Sequence, residues 1–168
     1  MKETVWTAAL SAMLLLPIAP QRTAPPVTSF AGTWTGDITR NASARYVGGL
    51  GFERESEGFT IAQEAKTLAV TRTHVVVDTV TSGSKTIRWT RTYRLDGAES
   101  PNSGFYFQHT VSTAHWDGDS LVVATKDPKG DATTVFSMDG PELKTVTTEA
   151  GPNGNPGPTW TLFYKKGG

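Results

Sequence analysis

KTIRWTRTYRLDG, residues 85–97, carries the signal on which the fold turns. Its odd positions are Ile87, Trp89, Arg91, Tyr93 and Leu95, and its even positions are Thr86, Arg88, Thr90, Thr92 and Arg94. Successive side chains on a strand point to opposite faces, so this alternation predicts a strand with one bulky inward face and one polar outward face. The run ends in Asp96-Gly97, a pair that supplies the positive φ angles of a tight hairpin.

Two further Asp-Gly steps, Asp117-Gly118 and Asp139-Gly140, sit between runs rich in β-formers, and turn signals recur at SGSK (82–85), DPKG (127–130) and GPNGNPGP (151–158). Between these marks lie nine expected strands, at 32–39, 58–64, 67–80, 85–95, 105–116, 120–126, 132–138, 142–149 and 159–165. From Gly32 onward no window of helical length carries an i, i+3, i+4, i+7 apolar stripe. The short connections favour an up-and-down antiparallel meander, and closing that sheet on itself removes its two exposed edges. The expected fold is therefore all-β: one antiparallel up-and-down barrel of about 8–10 strands over residues 31–166. The stretch 40–58 is expected to be one long irregular connection, either a functional lid or an insertion. It contains the glycosylation pattern Asn41-Ala42-Ser43.

Composition narrows the function classes. Sixteen basic and sixteen acidic residues cancel, so there is no field of one sign to hold nucleic acid or an anionic membrane surface. Cysteine is absent, which removes thiol catalysis, disulfides and thiolate-bound zinc. Lys2 followed by the apolar run VWTAALSAMLLLPIA reads as an export signal over residues 1–24, too short to span a membrane comfortably. Residues 25–30 then read as a spacer, and the expected location is the periplasm, cell envelope or exterior.

Gly32-Thr33-Trp34 at the start of the first strand resembles the opening of lipocalins and the wider calycin group. In that group the tryptophan closes the barrel base beside a late basic residue. The resemblance implies that closing role for Trp34, with Lys165 or Lys166 as the basic partner. FAGTWTGD, FTIAQEAKTLAVTRT, YRLDGAES, AHWDGDSLVVATK and FSMDGPELKTVTTE together resemble a largely uncharacterised set of small exported bacterial lipocalin-like barrels. That likeness implies a fold and an exported location without a substrate.

The candidate site follows from the inward faces. An arginine inside a barrel is costly unless something negative meets it. Arg91, flanked by Trp89 and Tyr93, is therefore a candidate for gripping an acidic ligand. Arg91-Thr92-Tyr93 is similar to the Arg-x-Tyr pairing by which fatty-acid-binding barrels hold a carboxylate, although there the motif lies on a terminal strand and here it is central. Arg72 joins the candidates if the bulkier set of 67–80 (Leu68, Val70, Arg72, His74, Val76) faces inward. His109 joins them if the odd face of 105–116 (Phe105, Phe107, His109, Val111, Thr113, His115) does. Two plainer solutions for Arg91 are a head reaching water at a barrel mouth, or an internal pair with Asp78 or Glu64.

No catalytic motif stands out. There is no Gly-x-Ser-x-Gly elbow. His109 and His115 lie about 20 Å apart along one strand and cannot share a zinc ion. Neither a metal nor a cofactor is expected. The leading expectation is a non-catalytic barrel binding a small apolar or amphipathic molecule. Its alternative is an envelope-associated interaction module with a barrel filled by side chains.

Overall fold

The computed structural model describes residues 28–37, 39–41, 46–47, 52–78, 81–103, 109–128, 130–151 and 155–167, with backbone alone for 46–47, 52–56 and 78. The expected signal segment lies outside these residues. Eleven strands follow in chain order: β1 (Gly32–Gly36), β2 (Tyr46–Val47), β3 (Phe52–Gln63), β4 (Thr67–Asp78), β5 (Ser84–Arg94), β6 (Ser100–Ser103), β7 (His109–Asp117), β8 (Ser120–Lys126), β9 (Ala132–Asp139), β10 (Glu142–Ala150) and β11 (Pro156–Lys166). They pair in the order β5-β4-β3-β1-β11-β10-β9-β8-β7-β6, with β2 attached to β3 off this path. Ten antiparallel strands thus form a nearly closed up-and-down barrel, the fold that the period-two pattern predicts. No helix among the described residues is long and apolar enough to cross a membrane.

All three Asp-Gly turns form, and Gly97, Gly118 and Gly140 adopt φ of 81°, 57° and 60°, where a Cβ would be strained. Three strands depart from expectation, and the first, β2, lies with the start of β3 inside the stretch 40–58 that was expected to be irregular. β3 starts at Phe52 rather than 58, passing a bulge between Arg54 and Ser56. Its charged run is recruited because β4 continues to Asp78 and would otherwise present an unpaired edge. β6 was not expected from Ser100-Pro101-Asn102-Ser103. Proline is tolerated there because β6 ends the pairing path, and edge strands are where proline fits.

Where the ladder stops, side-chain carboxamides continue it. A carboxamide offers one acceptor and one donor group, as a peptide unit does. Gln63 accepts from the Phe30 N–H at 2.8 Å and donates to the Thr28 carbonyl at 3.1 Å. Asn41 accepts from the Phe163 N–H at 3.0 Å and donates to its carbonyl at 2.9 Å. The asparagine of the glycosylation pattern is therefore buried and engaged with β11 in the folded protein. Asn102 treats Thr92 of β5 in the same way, at 2.8 and 2.9 Å.

One end of the barrel is solid. Phe30 crosses it fully buried, stacked on Trp116 with ring centroids 5.6 Å apart, and Thr28 reaches Asp119 in the β7–β8 turn. Trp34, Phe59, Leu68, Leu121, Phe136 and Leu143 pack beneath it at 2% exposure or less. Burying side chains of this size supplies the main drive for closure, at about 1.5–3 kcal/mol each. Ile87, Trp89, Arg91, Thr134, Thr147 and Trp160 share the inward face but are only partly buried. Three of them, Ile87, Trp89 and Arg91, lie on β5, which ends the pairing path.

Candidate functional site

Register on β3, β4 and β5 builds the inner wall in rows: Glu57 beside His74 and Ile87, Phe59 beside Arg72 and Trp89, Ile61 beside Val70 and Arg91, then Leu68 beside Tyr93. The bulkier face of β4 does point inward, so two arginines and a histidine share one wall with apolar neighbours. Each cation there needs a negative or aromatic answer.

Glu57 provides one. Its Oε1 accepts from the Tyr164 hydroxyl at 3.0 Å, lies 3.3 Å from His74 Nε2 and lies 3.6 Å from Arg72 Nη1. Glu57 is 6% exposed, and three groups from β4 and β11 converge on its one carboxylate oxygen. Arg72 also sits 4.7 Å from the Phe59 ring centroid, and the His74 ring meets Trp89 edge-on at 4.7 Å. Burial and the neighbouring Glu57 charge push the Tyr164 phenol far above its ordinary range, so it stays a donor. To reach Glu57, Tyr164 spans β1, which lies between β3 and β11. A glycine permits this, because a Cβ at Gly36 would stand 3.0 Å from the Glu57 carbonyl oxygen and 3.6 Å from the Tyr164 ring.

Arg91 has no such answer. Its Nε is buried without a hydrogen-bond partner, and no ion pair to Arg91 occurs among the described residues. Glu64 is exposed and accepts from Thr67, and the side chain of Asp78 lies outside the described residues. Trp89, Arg91 and Tyr93 do share the inward face of β5, with Tyr93 at 6% exposure against the core. A guanidinium without a partner beside apolar side chains has the chemistry to pair with an anion.

His109 takes no part. The even face of β7, with Thr110, Ser112, Ala114 and Trp116, turns inward, and His109 is exposed on the other side. The expected assignment fails because the inward face is polar but satisfied: Ser112 bonds Thr125 at 2.9 Å and Thr110 bonds the Asn102 carbonyl at 3.4 Å. Phe105 and Phe107, which weighted the odd face, lie outside the described residues. Trp34 is buried in the solid end, donates from Nε1 to the Phe30 carbonyl at 2.8 Å and has Lys166 Nζ 5.7 Å from its ring centroid. Sequence reasoning missed Glu57 and Tyr164. Each continues an apolar alternation by two residues, Ile61-Phe59-Glu57 and Leu162-Tyr164, which was the available signal. No three metal-ligating side chains converge among the described residues. A separate groove of about 370 Å³ passes Lys126, Asp131, Glu149 and Asn155, and none of the inward candidates lines it.

Solved structures place this architecture. A Schistosoma mansoni fatty-acid-binding protein in complex with arachidonic acid is similar at 15% identity and a TM-score of 0.56, over 83% of this chain and 96% of that one. Echinococcus granulosus fatty-acid-binding protein 1 gives 14%, 0.54, 83% and 98%. The fold is a calycin-type β-barrel. Zebrafish ileal bile acid-binding protein complexed with cholic acid shares it at 14% identity and a TM-score of 0.51, over 82% and 98% of the two chains. These calycin barrels are named for binding rather than for a reaction. No protein-family model matches the sequence, and no curated protein matches it.

Proposed function

We propose that this barrel is an exported, non-catalytic carrier or receptor for a small amphipathic molecule with an acidic group, held by Arg91 between Trp89 and Tyr93. The observation that carries the reading is the contrast on one wall: Glu57 answers Arg72, while the buried Nε of Arg91 has no acceptor. The partly buried inward side chains away from the Phe30 end support a lumen with room beside Arg91. The similar barrels named for fatty acid and bile acid binding support the ligand class. The apolar run at residues 5–19 supports export.

Native mass spectrometry of the protein purified from its own host tests the reading directly. The expected result is a retained acidic lipid-like molecule on a polypeptide shortened at its N-terminus. A full-length mass in the cytoplasmic fraction overturns export. For the site, Arg91→Ala weakens binding of 11-(dansylamino)undecanoate by about 30-fold or more, the loss expected when one partner of a desolvated charge pair is removed. Equal affinity in wild type and variant overturns the assignment.

A further inference from the structure

The outer surface of the barrel is not uniform. On β5 it carries Arg88 and Arg94, both exposed. Across β7 to β11 the register instead aligns two rows without Asp, Glu, Lys or Arg. His115, Val122, Val135, Val146 and Thr161 form one row, and Thr113, Ala124, Thr133, Thr148 and Thr159 form the next. Leu121, Val123, Phe136 and Leu143 are buried at the alternate positions of these strands, so both rows face outward. The three valines sit side by side on β8, β9 and β10, and the hydroxyls of Thr148 and Thr159 bond each other at 2.9 Å. Covering such a strip strips water from few unpaired polar groups. Charge resumes at its margins. Lys126 ends β8 on one side, beside the groove of about 370 Å³ whose lining includes Asp131 and Glu149. On the other side the outward positions are Asp117 on β7, Ser120 on β8 and Lys144 on β10.

We propose that this strip is the interface of a homodimer whose two-fold axis runs along β9. The strip is its own complement. A half-turn about that axis lays β8 on the partner's β10 and β7 on the partner's β11, so each row meets the same row of the other copy. Val122 then meets the partner's Val146, Val135 meets its own equivalent, and Thr113 meets the partner's Thr159. The margins match in charge as well. Lys126 comes over the side of the partner's groove that Glu149 lines, and Lys144 comes over the partner's Ser120, which lies beside Asp119 and pairs with Asp117. Opposite charges at both margins favour a second copy over an unrelated partner and fix the alignment of the two. With strands about 4.8 Å apart and rows about 7 Å apart, the strip and its margins cover roughly 650 Å² per copy, near the low end for a specific interface. The dimer is therefore weak and depends on concentration. Arg91 points inward from β5, outside the strip, so the dimer does not depend on the ligand reading.

Sedimentation velocity over about a hundredfold range of protein concentration is expected to show monomer passing into dimer. Val135→Arg places a cation against its own copy on the axis and weakens the dimer by about 30-fold or more, and Lys126→Glu weakens it by about fivefold. The chain has no cysteine, so single cysteines test the axis whatever these variants do to folding. Thr133→Cys lies on the axis and is captured as a dimer by bis-maleimidoethane across the about 10 Å between packed sheets. Thr113→Cys and Thr159→Cys each face the other's position, so neither is captured alone and the two link when mixed. Monomer at every concentration overturns the proposal. A dimer in which Thr113→Cys links to itself, or in which Thr133→Cys does not, places the interface elsewhere and overturns it as well. Native mass spectrometry from the host that shows a different protein held through the strip, and lost in Val135→Arg, overturns the second copy as occupant. Arg91→Ala dimerises as the wild type does, so loss of probe binding and loss of the dimer are read separately.

Discussion

Arg72 on β4 and Arg91 on β5 are inward arginines one row apart on the same wall, and they live under opposite rules. Arg72 has Glu57 at 3.6 Å and the Phe59 ring beneath it; Arg91 has neither a carboxylate nor a ring among the described residues. The first arginine is part of the protein's own structure, balanced within a cluster that includes His74 and Tyr164. The second is an uncompensated cation, which folding tolerates only where water or a ligand can reach it. The difference marks Arg72 as part of the barrel's own structure and makes Arg91 the residue on which the proposed binding role rests.

The largest expected effect falls on the balanced cluster. Glu57→Ala leaves Arg72 and His74 without their common partner. It should cost about 3 kcal/mol in urea unfolding, the low end for a broken buried pair because the Arg72 side chain keeps 27% exposure. The two arginines should then differ in sign. Arg72→Met uncovers the Glu57 charge and lowers stability by about 2 kcal/mol, whereas Arg91→Met removes an unsatisfied group and raises ligand-free stability by about 1 kcal/mol. Destabilisation by both variants would break the distinction between them.

Tyr164→Phe removes the hydroxyl donor to Glu57 and should cost about 1.5 kcal/mol near neutral pH. The phenol's folded pKa is raised above its unfolded value, so its contribution is fully present below about pH 10 and is lost as pH rises beyond it. Urea midpoints between pH 9 and 11 should therefore fall less steeply in Tyr164→Phe than in the wild type. The smallest effect belongs to His109→Ala: dansyl-probe affinity unchanged, and stability within about 0.5 kcal/mol of wild type, as for an exposed residue. Loss of binding would return His109 to the site.

Much of this is legible in the sequence. Ile87 to Leu95 alternate with threonine and arginine so regularly that the inward face of β5 could be read directly, and the three Asp-Gly pairs marked two hairpin ends and the turn from β5 into β6. β7 was misread because buried hydroxyls on Thr110 and Ser112 are satisfied by partners on other strands, which no local pattern records. Glu57 was hidden by its neighbours: a run of alternating charges looks like a loop until β4 supplies the strand it pairs with. Asn41 looked like a modification site and is a backbone mimic for Phe163, 122 residues away.

Alternation and turn chemistry are local, so the chain alone determined that this is an up-and-down antiparallel meander, and that Trp89, Arg91 and Tyr93 share a face. Charge balance inside the barrel depends on which strands lie side by side. Tertiary structure alone decided that Glu57 and Tyr164 would settle Arg72, that nothing described would settle Arg91, and that one seam of the wall would be closed by an asparagine instead of a ladder.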